Sequence, residues 1–184
     1  MAKNVKNQNG GVYTAETLAA EIKKGIYGSF VFYGEEDYLK NYYRTQIYRS
    51  VMEEGMEAFN YFPISFSPAV MTKEEAVSRL SDAVLALPVM QDQKLILISD
   101  LAPASLPKEL FDSFCSALKQ ASESEDTVLI LYCRADEIET DYKTETEPFF
   151  KKLAASAKTV KFDLQPRGKL ISWIKKHFSK ALKI

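Results

Sequence analysis

Cysteine and histidine are nearly missing from this chain: the 184 residues hold Cys115, Cys133 and a single histidine, His177. Two thiols make no disulfide framework, and with no CxxC pair a zinc site has no start, so a reducing cytosol is the expected compartment. No stretch approaches the roughly 18 consecutive apolar residues of a membrane-spanning helix. Residues 1–11 are polar where a signal peptide carries an apolar core, which excludes secretion by that route and predicts a cytoplasmic chain. Glycine and proline, seven of each, are too few for collagen or low complexity. Acids are scarce at one end only: residues 151–184 carry ten Lys or Arg against Asp163 alone, leaving fourteen basic and twenty-four acidic residues in 1–150. The body is therefore strongly acidic and the tail strongly basic, an asymmetry that admits nucleic-acid contact by the tail but equally describes a solvated helix face.

What is present is ordinary for a packed domain, with 46% hydrophobic and 27% charged residues. Thr14, an N-cap type, opens a short helix with Leu18, Ala19 and Ile22 on one face, and Gly25 stops it. Ser29 to Tyr33 reads as a strand ending in Gly34, followed by a long helix with Leu39, Tyr43, Ile47 and Val51 at four-residue spacing. Phe59 to Ser65 reads as a second strand that Pro63 pushes towards a sheet edge or an early end. A helix from Thr72 places Ala76, Leu80, Val84 and Leu85 inward. Lys94 to Ser99 and Thr127 to Cys133 are apolar without alternation, as strands covered on both faces are. Between them a helix runs from Pro107 to about Ala121. Residues 134–146 read as a loop, Pro148 opens another helix, Thr159 to Phe162 is a short strand, and Gln165 to Leu182 is a basic amphipathic helix. The alternation predicts an α/β fold with a five-stranded, mainly parallel sheet flanked by helices.

In such a fold the turn after the first strand is the place for a phosphate cradle. Against GxxxxGK[ST], this turn keeps Gly34 and Lys40. It replaces the second glycine by Leu39, whose Cβ crowds an approaching pyrophosphate, and the metal-binding hydroxyl by Asn41. Glu35, Glu36 and Asp37 would repel a triphosphate and suit the helix dipole themselves. The turn therefore reads as a degenerate P-loop that binds no nucleotide, with no cofactor or metal expected. Asp100 ends the third strand, but Leu101 stands where a water-positioning acid would follow, so a capping role fits better. His177 falls on the basic helix with no triad to assemble around it and reads as a surface residue. Cys115 and Cys133 fall in apolar registers and read as packed thiols. Tyr38, Tyr42, Tyr43 and Tyr48 could stack on bases, but their helical spacing favours core packing. Leu87, Pro88, Val89 and Met90 form an apolar tip after the helix from Thr72. They either fold back as a core cap or project into a partner's pocket.

Taken together, Val31 to Leu39, Ala86 to Leu95, the strand around Leu129 and Val160 to Phe162 followed by Leu164, Leu170, Trp173 and Ile174 resemble the delta subunit family of the bacterial DNA polymerase III clamp loader. The resemblance rests on the order of these segments and covers nearly the whole chain. It implies an AAA+-like domain without ATP binding, in residues 1–163, and the beginning of a helical lid domain in residues 164–184. It further implies that the tip (Leu87, Pro88, Val89, Met90) enters a pocket of the ring-shaped sliding clamp, the beta subunit, and helps open the ring. Family members often carry aromatic or leucine side chains where this chain has Val89 and Met90. The chain is about half the expected length, so contacts with other clamp-loader subunits are expected from a region beyond Ile184. The cysteine-rich zinc module usual in the motor and delta-prime subunits has no counterpart here. Two other readings stay open on the residues alone: a P-loop kinase or ATPase using Lys40 and Asp100, and direct, weak DNA contact through Lys175, Lys176, Lys180 and Lys183.

Overall fold

The computed structural model describes residues 13–140 and 142–164, with Gly168, Ile171, Ser172 and Lys175 beyond them. The elements follow in the order α1 (Ala15–Lys24), β1 (Gly28–Tyr33), α2 (Asp37–Val51), α3 (Glu57–Asn60), β2 (Tyr61–Ser65), α4 (Lys73–Leu85) and β3 (Lys94–Ser99). A 3-10 turn at Pro103–Ser105 leads to α5 (Lys108–Ser122), β4 (Thr127–Tyr132), α6 (Tyr142–Thr146), α7 (Pro148–Ser156) and β5 (Lys158–Lys161). The five strands form one sheet in the order β2-β3-β4-β1-β5, with every pairing parallel.

Each strand's two-residue period sorts its side chains onto opposite faces. Val31 and Tyr33 of β1, with Ile96, Ile98, Leu129 and Leu131, pack beneath α4, α5 and α7. Phe30 and Phe32, with Leu95, Val128 and Ile130, pack beneath α1 and α2. Two helical layers around a parallel sheet explain why β3 and β4 read as continuous apolar runs: neither face meets water. Helix α1 starts at Thr14, whose hydroxyl accepts from the Thr17 amide, and ends at Gly25 as its spacing predicts. Helix α4 carries a full capping box between Thr72 and Glu75. Pro63 lies on the edge strand β2, where its missing N–H costs no ladder bond.

Five expectations need correction. Phe59 and Asn60 belong to the short helix α3 rather than to β2, because the chain turns at Met56 before it extends. Leu85 is 65% exposed instead of facing the core, since the helical period turns it away from the buried stripe of Ala76, Val77, Leu80, Ala83 and Val84. The segment 134–146 includes the helix α6, which carries Glu145 to Tyr33 and Lys161. Strand β4 ends at Tyr132, one residue before Cys133, and β5 runs Lys158–Lys161, one residue earlier than the apolar pattern suggests. Of the basic helix expected over 165–182, the described residues Gly168, Ile171, Ser172 and Lys175 are helical; Trp173, His177 and Phe178 lie outside the described residues.

Candidate functional site

The turn after β1 joins strand to helix at the place of a phosphate loop, and several of its polar groups are already engaged. Gly34 takes φ +116°, and a Cβ there would meet the Phe162 carbonyl oxygen at 2.4 Å. Its glycine is therefore demanded by the neighbouring backbone at the end of β5. The Glu36 amide donates to that same Phe162 carbonyl (3.0 Å), and the Asp37 and Lys40 amides donate to Glu35 and Glu36 within the turn. Lys40 is fully buried. Its Nζ donates to the carbonyls of Gly34 (2.6 Å) and Cys133 (2.8 Å) and pairs with Asp37 at 2.8 Å. Leu39 is buried among Ile47, Phe30 and Phe32 in the core, and the Asn41 amide group donates to the Asp37 carbonyl at 3.0 Å. The lysine that would reach a phosphate thus ties the end of β1 to the end of β4.

The strand-end acid is similarly occupied. Asp100, at φ +60°, accepts from the Ser65 and Ser99 hydroxyls (2.7 and 2.9 Å) and from Arg134 (3.0 Å). Those two hydroxyls, aided by Arg134, hold its carboxyl below the usual range. Arg134 also pairs with Glu137 at 2.9 Å, and burial raises the Glu137 carboxyl. Arg134 did not stand out in the sequence; only the fold brings it beside Asp100. Cys115 and Cys133 are buried, and burial raises both thiols, so neither has the thiolate character of a nucleophile. Tyr43 and Tyr48 pack against Phe162 and Tyr61 at ring distances of 5.9 and 5.4 Å, in accord with core packing, whereas Tyr38 is half exposed. Among the described residues, no group of three or more His, Cys, Asp or Glu is placed to hold a metal ion. A cleft lined by Arg44, Tyr48, Tyr61 and Leu97 and a groove of about 470 Å³ between β2 and α4 both lie away from the turn after β1.

The apolar tip projects. Leu87 is 75% exposed, Met90 82% and Val89 42%, so the core-cap alternative does not describe them. With Leu85 they place four large apolar side chains in or beside the loop between α4 and β3, a density that isolated surface leucines do not reach. Pro88 follows two residues after the extended C-cap Ala86, and Met90 takes φ +57°, uncommon for a residue with a side chain. Beneath this surface the loop's backbone is held by polar side chains. Asn60 grips Val89 from both sides: its Oδ1 accepts from the Val89 amide (2.6 Å) and its Nδ2 donates to the Val89 carbonyl (2.9 Å). Lys94, buried, donates to the carbonyls of Val84 (2.7 Å) and Ala86, closing the C-terminus of α4. Its desolvation lowers the ammonium's pKa, partly offset by Asp126. Asn60 and Lys94 were missed in the sequence, although a lone amide inside an apolar segment and a lysine opening a buried strand are the kind of anomaly that marks a buried polar contact.

A wholly parallel five-stranded sheet with helices on both faces is an α/β architecture similar to that of clamp-loader delta and gamma AAA+-like structures. Two solved structures show that likeness. The Bacillus subtilis DNA clamp loader delta protein superposes with a TM-score of 0.61 at 16% identity, over 86% of this chain and 45% of that one. A DNA polymerase III gamma subunit-related protein from Thermotoga maritima superposes with a TM-score of 0.57 at 15% identity, over 88% and 49%. At these identities the likeness is one of fold, and the chain spans just under half the length of either. A search of curated protein sequences finds no match. The sequence model of the family described as DNA polymerase III, delta subunit matches residues 30–163, and the chain belongs to that family.

Proposed function

We propose that this chain is a non-enzymatic clamp-binding module, which attaches to the ring-shaped sliding clamp through Leu87, Pro88, Val89 and Met90 and helps open it for loading onto DNA. The observation that carries the proposal is the tip itself, an exposed apolar surface on an anchored backbone in a member of a clamp-loader family. Opening follows from affinity: a surface that binds a strained or open interface more tightly than the closed ring shifts the ring by that difference and needs no nucleotide of its own. The turn after β1 supports this division of labour, because the Lys40 ammonium and the Glu36 and Asp37 amides are bonded within the protein. Gly34, Leu39, Lys40 and Asn41 therefore act as structure, and ATP is handled by other subunits. Residues 1–163 are the clamp-binding domain in this reading and residues 164–184 the start of a helical lid.

The test is calorimetric binding of the chain to the sliding clamp of its own organism, beside a Leu87→Ser/Met90→Ser variant. These two side chains are the most exposed at the tip, and burying a Leu or Met is worth roughly 1.5–3 kcal/mol. Their joint removal should cost about 3–5 kcal/mol, or about two to four decades in affinity. Val89 is already half covered and should contribute less. A loss of less than about threefold removes the tip from the contact.

A further inference from the structure

The loop that carries the tip has no regular secondary structure between Leu85 and Lys94. Its shape is set by Asn60, remote in sequence, and by the loop's own Gln91 and Gln93 reaching backbone groups outside it. Asn60 contributes most: it is fully buried, donates to both the Met56 carbonyl (3.2 Å) and the Val89 carbonyl, and accepts from the Val89 amide. Gln91 fastens the far side of the loop, accepting from the Glu53 amide (3.3 Å) and donating to the carbonyls of Val51 (3.4 Å) and Gln93. Gln93 donates to Ile26 and Glu125, each at 2.9 Å. These polar groups are spent on a segment that buries little of itself, and they hold Met90 in a left-handed conformation. Such conformations persist where the surroundings over-determine them, typically at binding sites.

We infer that Asn60 is a positioning residue for clamp binding, which presets the Val89–Met90 backbone in the free chain so that binding does not have to order it; Gln91 assists. The inference rests on the clamp-binding reading above. Fixing one residue's backbone costs a factor of about 5 to 30 in an equilibrium constant, and a loop already fixed does not pay it on association. Losing the pin should weaken binding about tenfold and mainly slow association, because the loop must then find its shape. Removing the contact side chains instead speeds dissociation. The two kinds of residue are separable by kinetics.

The experiment compares Asn60→Ala and Gln91→Ala with the parent and with Leu87→Ser/Met90→Ser, by binding kinetics on the organism's sliding clamp and by amide hydrogen exchange of the free chains. Gln91 is half-buried, so its variant keeps the test open if Asn60→Ala folds poorly. Expected are faster exchange at the Val89 amide in Asn60→Ala and of the loop amides in Gln91→Ala. The β3 and β4 amides should be unchanged, with about tenfold slower association for Asn60→Ala and a smaller effect in the same direction for Gln91→Ala. Association within about twofold of the parent in variants whose loop amides have lost protection overturns the inference. A Val89 amide that stays protected in Asn60→Ala overturns it equally. Failure of the underlying reading shows elsewhere, as a parent that does not bind the clamp or a Leu87→Ser/Met90→Ser variant that binds like the parent.

Discussion

Lys40 shows how a side chain of one chemical type changes its work when its surroundings change. A lysine at this place in a phosphate loop needs a free ammonium; here three acceptors take it, two of them main-chain carbonyls at the ends of different strands. Lys40→Met should leave the Gly34 and Cys133 carbonyls without a donor and destabilise the fold by about 2–4 kcal/mol, measured by urea unfolding. Asp100 makes a prediction about acid. Its carboxyl lies below the usual range in the folded chain, so in acid the unfolded chain binds the extra proton. The stabilisation it contributes is complete above the ordinary carboxylate pKa of about 3.9 and is lost as pH falls through the lower folded value. Glu137 works with the opposite sign, because its raised carboxyl makes the fold relatively more stable as pH falls through its folded value. Asp100→Asn should therefore flatten the fall in urea midpoint below about pH 4, and an unchanged slope would assign that fall to other carboxylates.

At the scale of an element, α4 is built in two halves with different duties. Its N-terminal turn carries the Thr72–Glu75 capping box, and its inward residues Ala76, Leu80 and Val84 belong to the core. Its last turn exposes Leu85 on the face opposite the core and delivers the chain to the tip. Thr72→Ala should cost about 1 kcal/mol of stability through the lost cap. Clamp affinity should stay where it was, because Lys94 and Asn60 hold the other end. The pairing of a stability change with unchanged affinity is checked by thermal unfolding and calorimetry on one preparation. Element identities were largely legible: caps and apolar spacing foretold α1, β1, α2, α4, β3, α5, β4, α7 and β5 to within a residue or two, and Pro63 pointed to the edge position of β2. The errors fell at Asn60 and at 134–146, where short helices lack enough turns to display a period.

The whole molecule permits a test of the enzyme alternative by linkage. A ligand held with a dissociation constant of about 10 μM and supplied at about 10 mM, a thousandfold excess, stabilises the fold by about 4.1 kcal/mol. For a chain of this size that amounts to roughly 8–16 °C in Tm. MgATP should produce no such shift, and a rise of that size would contradict the structural role given to Lys40 and Leu39. Among the described residues no helix is long and apolar enough to cross a membrane. The acidic body and basic tail noted in the sequence leave the described domain with most of the acids.

By itself the sequence determined the alternation of strands and helices, the coverage of β3 and β4 on both faces, the weakness of the phosphate loop and the position of the tip. Each is written in residues close together, where a period of two or of 3.6, a cap or a missing glycine acts locally. Tertiary structure alone decided why Gly34 must be glycine, what Lys40 and Asp100 bind, that Leu87 and Met90 project, and that Asn60 holds Val89. Those outcomes depend on groups far apart in the chain, 93 residues from Lys40 to Cys133 and 29 from Asn60 to Val89, which meet only when the sheet assembles. Buried polar groups must find partners wherever the fold supplies them, and local sequence does not say where that is.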